Sequence, residues 1–234
     1  MLKKLWQSKV LQNWHLWGQQ PSRFPNDIYL LHKTCEYFCP KQVLEVGFHL
    51  GQTFGNLIEA CDNDTKFVSV EIDYGKRRQV FDSVFATYNN VTWLEQDSRT
   101  LDLQTQFDFV FIDGDHTYEY VNQDIQNALP LLTTNSILCV DDYPEPGVDQ
   151  AIRQHLLGQN GWVPVIKGHQ EMFFFHHSRT LYDFLYVWLQ DRARNFINFN
   201  HEDYHGYRVV SPDMPNVFRE NIDIFLQTLK FYDL

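Results

Sequence analysis

Two short acidic runs are the residues of this chain best placed to do chemistry. The first is Phe109-Val110-Phe111-Ile112-Asp113-Gly114-Asp115-His116-Thr117-Tyr118, and the second is Ile137-Leu138-Cys139-Val140-Asp141-Asp142-Tyr143. In each, an apolar stretch runs straight into carboxylates, as in a buried parallel strand whose end meets solvent. Ligands of open α/β sheets bind outside the carboxyl ends of the strands, so these acids lie where a site would form. On adjacent strands Asp113, Asp141 and Asp142 would converge, and carboxylates that close raise one another's pKa unless a cation neutralises them. All-oxygen ligation suits Mg²⁺, with Ca²⁺ or Mn²⁺ as substitutes. The plainer alternative is that some of these acids cap the helices that follow, a task Asp performs well.

A second group of residues fits a nucleoside-bearing cofactor. Leu44-Glu45-Val46-Gly47-Phe48-His49-Leu50-Gly51-Gln52-Thr53 reads as a strand, a glycine-punctuated turn and the start of a helix. Glycine serves where the backbone turns tightly or a ligand must come close. The GxGxxG spacing of dinucleotide binders is absent. Glu45, just before the first glycine, would repel a diphosphate and suits a cofactor with a cationic amino-acid end. Further on, Val68-Ser69-Val70-Glu71-Ile72-Asp73 puts an acid at the end of the next strand, where doubly wound folds place a carboxylate on the ribose hydroxyls. Glu71 is the first choice and Asp73 the second. Gln96-Asp97-Ser98 follows the third strand, the position of an adenine-contacting loop.

The elements that must position these residues alternate regularly. Helix-spaced apolar residues (Ile28, Leu31, Cys35, Phe38) precede a strand at 42–46, and a helix carries Phe54, Leu57, Ile58 and Cys61. Strands at 67–72, 91–94, 107–112 and 136–140 alternate with helices through Val80–Phe85, Val121–Leu132 and Val148–Leu156. This alternation predicts right-handed crossovers and a parallel sheet. After it, 162–167 and 171–176 are strands separated by three residues, so short a link that they must form an antiparallel hairpin. The expected fold is α/β and Rossmann-like: a seven-stranded, mostly parallel sheet with an antiparallel last strand. The predicted divisions are an amphipathic N-terminal extension (1–26), a cofactor-binding domain (27–177) and a helical C-terminal appendage (178–234). Within the appendage, 198–207 reads as a polar, aromatic loop between two helices.

The runs EVGFHLGQT, VEID, FIDGDHTYE and VDDY together resemble the class I S-adenosylmethionine-dependent O-methyltransferases, and are most similar to the branch of macrocin-type sugar O-methyltransferases. The likeness spans roughly residues 40–158. It implies that the turn from Glu45 to Gly51, with Thr53 beside it, holds the methionine part of S-adenosylmethionine and Glu71 the ribose. Asp97 and Ser98 would meet the adenine. Asp113 would serve both cofactor and metal, with Asp141 and Asp142 completing a Mg²⁺ site. Asp115 would be the general base, a role also open to His116. The implied reaction methylates a hydroxyl of a small sugar or phenolic acceptor. A metal-independent methyltransferase and a non-catalytic cofactor-binding protein are the alternatives.

Composition narrows the partners. Nineteen basic residues against thirty acidic ones give a formal charge of −11, which repels polyphosphate and argues against a nucleic-acid substrate. Cys35, Cys39, Cys61 and Cys139 match no zinc spacing and demand no oxidising compartment. The opening residues form neither a signal peptide nor a membrane span. A cytoplasmic protein is expected. The amphipathic helix at 2–17 can pack on its own domain or on a second copy in a homo-oligomer.

Overall fold

The computed structural model describes residues 25–72, 75–159, 161–176 and 198–213. The predicted helix at 2–17, those in 178–197 and beyond 213, and Asp73 lie outside the described residues. Helix α1 (Pro25–Phe38) leads into β1 (Gln42–Val46), α2 (Gln52–Ala60), β2 (Lys66–Glu71), α3 (Lys76–Val84) and β3 (Val91–Glu95). Then come β4 (Phe107–Ile112), α4 (Tyr118–Ala128), β5 (Leu132–Val140), α5 (Pro146–His155), β6 (Trp162–Lys167) and β7 (Met172–His176). A hairpin of β8 (Asn198–Tyr204) and β9 (Tyr207–Asp213) follows.

The strands form one sheet in the order β3-β2-β1-β4-β5-β7-β6-β9-β8. β1 to β5 pair in parallel, while β7 lies antiparallel between β5 and β6. This is the α/β methyltransferase arrangement expected from the sequence. The chain winds one way from β1 to β3 and the other way from β4 to β5. The crevice above β1 and β4 is therefore the topological switch point, where such sheets take their ligands.

Side chains alternate across the sheet. On β4, Phe109 and Phe111 enter the core on the side of α1, α2 and α3, while Val110 and Ile112 pack with α4 and α5 on the other. Burial on both faces explains why β4 is an apolar run without period-2 polarity. Burying each such side chain contributes about 1.5–3 kcal/mol.

The stretch 198–207 is a correction to the sequence reading. It belongs to the β8–β9 hairpin, which joins the sheet edge where Ile166 of β6 pairs with Val210. His205 and Gly206 make its two-residue turn, both with positive φ (51° and 86°), the geometry that suits right-handed strand twist. Tyr204 and Val209 are buried in the core, and Tyr204 donates a 3.0 Å hydrogen bond to Asp149 of α5. Polar residues at 200–203 hide the strand from a hydrophobicity reading, because ladder bonds and two anchors fix the hairpin. β5 likewise starts at Leu132, earlier than expected, since its first residues are partly exposed.

Candidate active site

Each strand end at the switch point delivers its residues by backbone pairing. The Asp113 N–H donates to Val46 O (2.8 Å) and the Asp141 N–H to Ile112 O (2.9 Å), which carries the ladder one residue past the strands. Gly47 follows β1 with φ 93°, and a Cβ there would sit 2.0 Å from the carbonyl oxygen of Asp113. Only glycine lets the β1 turn lie this close to the end of β4. Phe48 points away from the crevice, its ring edge-on to Phe54, Phe85 and Trp93 at 4.8–5.8 Å, and so anchors the turn in the core.

The crevice has a volume of about 530 Å³. Its wall brings together Gly47, Glu71, Asp97, Ser98, Asp113, Asp115, His116, Asp141 and Asp142 of the residues singled out from the sequence. Glu45, Gly51 and Thr53 are not on that wall. Glu45 is fully buried on the α1–α2 side of the sheet, where it accepts a 2.7 Å hydrogen bond from the Ser69 hydroxyl. Strand parity decides this, because Glu45 shares its face with Val43. Gly51 precedes α2 with no room for a side chain between the Phe48 and Phe85 rings, and Thr53 is buried in the first turn of α2.

At one end of the crevice, Glu71 clasps the glycine turn. Its Oε2 accepts from the backbone N–H groups of Phe48 (3.2 Å) and His49 (2.9 Å), and its Oε1 accepts from Ile72 N (2.9 Å) and Arg77 Nη1 (2.7 Å). Those four donors match the four lone-pair positions of a carboxylate. Asp97 caps the short turn Ser98–Thr100 and pairs with Arg99 at 2.6 Å, which holds its carboxyl below the ordinary value. The Arg99 guanidinium lies over the ring of Tyr120, 4.1 Å from its centre, and Tyr120 itself reaches the wall.

At the other end lies the acidic cluster. Asp113, His116 and Asp142 present one ligand atom each, all within 4.8 Å of one another. His116 is caged by carboxylates: Nε2 lies 3.1 Å from Asp142 Oδ2 and 3.8 Å from Asp113 Oδ1, and Nδ1 lies 3.4 Å from Glu145 Oε1. The Asp113 carboxylate does most, and the charges of Asp142 and Glu145 add to it against the cost of burial. The imidazole pKa is pushed up to about 9. Of the predicted metal trio, Asp113 and Asp142 meet at this cluster. Asp141 is buried on the same wall but outside the converging set, and His116 stands in its place. Asp142 has a left-handed backbone (φ 51°), which turns its carboxylate away from the direction an extended strand would give.

Asp115 behaves differently. Its Oδ1 accepts the Thr117 backbone N–H at 2.8 Å at the start of α4, and the Thr117 hydroxyl and then that backbone bond set its carboxyl below the usual value. This is a local turn just before the helix, whose N-cap is Thr117, and it makes Asp115 a weak base. His49, Ile72, Arg77, Tyr120 and Gln170 also line the wall and were not legible as site residues. Their side chains alone do not mark them, and only the fold shows that they face the crevice.

Comparison with known proteins agrees with this geometry. Residues 44–143 match the family model of a methyltransferase domain. That match covers the glycine turn, Glu71 and both acidic runs. The fold is shared with the crystal structure of a Podospora anserina methyltransferase bound to SAH (TM-score 0.57, 16% identity, 70% of this chain and 86% of that one). It is shared as well with an O-methyltransferase from Bacillus cereus in complex with SAH (TM-score 0.55, 18% identity, 71% and 87%). A third is an O-methyltransferase from Streptomyces achromogenes involved in tomaymycin synthesis, in complex with SAM (TM-score 0.54, 18% identity, 72% and 87%). No curated protein matches the sequence. Residues 44–143 thus match a methyltransferase domain, and the fold is one that methyltransferases bound to SAH share. No helix among the described residues is long and apolar enough to cross a membrane.

Proposed function

We propose that this protein is an O-methyltransferase that transfers the methyl group of S-adenosylmethionine, with the help of a divalent cation, to a hydroxyl of a small sugar or phenolic acceptor. The observation that carries this reading is the imidazole of His116 seated against Asp142 and Asp113, in the same crevice as the glycine turn and Glu71. A site that gathers carboxylates around one positive charge is built for a cation. The crevice also has the parts a nucleoside-bearing sulfonium needs. The turn at Gly47–His49 and Asp113 would meet its amino-acid end, Glu71 the ribose hydroxyls in exchange for its Arg77 bond, and Ile72, Ser98 and Tyr120 the base.

S-adenosylmethionine would supply the methyl group as a sulfonium, and a divalent ion the Lewis acidity that eases loss of the acceptor's proton. The protein's own part is alignment and proton removal. Asp113 and Asp142, with Asp141 beside them, would hold the cation. His116 takes the acceptor's proton, because Asp115 is engaged with Thr117 and its carboxyl is set below the usual value. In the ligand-free protein His116 holds a proton of its own, and it is a base once another positive charge satisfies Asp113 and Asp142.

The test follows methyl transfer to a panel of sugar and phenolic acceptors in Mg²⁺ or Mn²⁺ and in EDTA. Transfer is expected only with the metal. Transfer that survives EDTA would favour a metal-independent enzyme with His116 as base. Calorimetric binding of NAD in place of S-adenosylhomocysteine would end the cofactor reading. His116→Gln should abolish transfer while keeping Mn²⁺ affinity, whereas loss of both would make His116 a ligand.

A further inference from the structure

The β6–β7 turn, a feature of the hairpin with no part in the motifs, sends one side chain into the crevice. Gln170 Nε2 donates to Asp142 Oδ1 at 2.5 Å, and Gln170 lines the wall beside the acids. The turn that carries it is fixed by residues remote in sequence. Asp27, fully buried at the start of α1, accepts the backbone N–H groups of His169 (2.5 Å) and Gln170 (3.2 Å). A Cβ at Gly168 would lie 2.2 Å from Asp27 Oδ1, so the turn closes directly onto that carboxylate. The backbone carbonyl of Gln170 in turn accepts the N–H of Tyr143 at 3.1 Å, next to Asp142.

We infer that Gln170 is the positioning residue of the metal site, an uncharged donor that ties down one oxygen of Asp142 so that the other is presented to a cation. The inference rests on the proposed metal-assisted reading. Asp142 needs such a tie because its left-handed backbone (φ 51°) sets the carboxylate where the chain alone would not hold it. An amide suits this place better than lysine or arginine. It fills a lone pair of Asp142 without adding positive charge that would compete with the ion. The turn does not depend on the Gln170 side chain, since Asp27 and Tyr143 hold it by backbone bonds.

The test uses the full chain and Mn²⁺ itself as probe, with affinity and the bound-ion resonance spectrum read by electron paramagnetic resonance and S-adenosylhomocysteine affinity by calorimetry. Gln170→Met keeps the length and bulk of the side chain and removes the donor, and Gln170→Ala is the second variant should methionine repack. Each is expected to weaken Mn²⁺ about tenfold and to change the spectrum, the loss usual for the outer partner of a metal ligand. Cofactor affinity and melting temperature should stay at parent values. Mn²⁺ bound by both variants within about twofold of the parent overturns the inference, on the same scale of effect. Parallel loss of S-adenosylhomocysteine binding overturns it too, because the side chain would then be merely structural. If the parent binds S-adenosylhomocysteine but no Mn²⁺, the metal reading itself has failed and the inference goes with it.

Discussion

A divalent ion entering the acidic cluster has to expel a proton, and this makes its binding steeply dependent on pH. His116 Nε2 lies 3.1 Å from Asp142 and shares the cluster with Asp113, so ion and imidazolium proton compete for the same two carboxylates. With the imidazole pKa at about 9, the competing proton is almost fully bound at neutral pH. Apparent Mn²⁺ affinity should therefore rise close to tenfold for each pH unit between about 6.5 and 8.5, at about 1.4 kcal/mol per unit, and level off near 9. The assay is a Mn²⁺ titration at a series of pH values, on the parent and on His116→Gln. The glutamine cannot titrate, so the variant should show no slope and should bind at least as tightly as the parent at neutral pH. The ligand-free protein moves in the opposite sense. A raised histidine pKa adds stability that is fully present below the unfolded value of about 6.5 and is lost as pH climbs through 9, so the apoprotein should melt lower in alkali while the Mn²⁺ complex tightens. An Mn²⁺ affinity that stays flat between about pH 7 and 8 refutes the competition.

Two further outcomes follow from the opposite end of the crevice and from beneath it. Glu71→Gln removes the charge that pairs with Arg77 and clasps the turn at Phe48 and His49. It should weaken S-adenosylhomocysteine at least about tenfold, or about 1.4 kcal/mol, and leave Mn²⁺ affinity alone, both by calorimetry; equal losses would mean that the two ends are one cooperative unit. Asp124 of α4 is buried behind Gly114, and burial pushes its carboxyl up to about 6. An Asp with a raised pKa is destabilising above that value. Asp124→Asn should therefore gain about 2 kcal/mol in urea unfolding at pH 7, a gain that fades as pH falls toward about 4. No gain at neutral pH would show that the carboxylate is better solvated than its burial implies.

Much of this molecule is legible residue by residue. The alternation of strands and helices from 27 to 176 is written in apolar spacing, because a strand buried on both faces and a helix buried on one impose different periods on the sequence. The hairpin of β6 and β7 follows from a three-residue link too short for a crossover. The position of the site was equally plain. Gly47, Glu71, Asp97, Asp113 and the Asp141–Asp142 pair each sit where a strand gives out, and that is a local fact of chain order. Where the pattern carried no hydrophobic signal, reading failed. The β8–β9 hairpin is polar along much of its length, and its pairing is decided by backbone bonds and the anchors Tyr204 and Val209.

The sequence by itself determined the order of elements and the edge of the sheet on which the acids gather, because both depend on neighbours a few residues apart. Tertiary structure decided which of those acids meet. The pairing of Ile112 with Val140 brought two strand ends level, and the left-handed turn at Asp142 sent that side chain, with His116, to the point Asp141 had been expected to fill. Strand parity sent Glu45 into the core, and Asp27, more than a hundred residues away in the chain, fixed the turn that brings Gln170 to Asp142. Direction and distance between side chains depend on register, parity and remote hydrogen bonds, and these exist only once the sheet has closed around them.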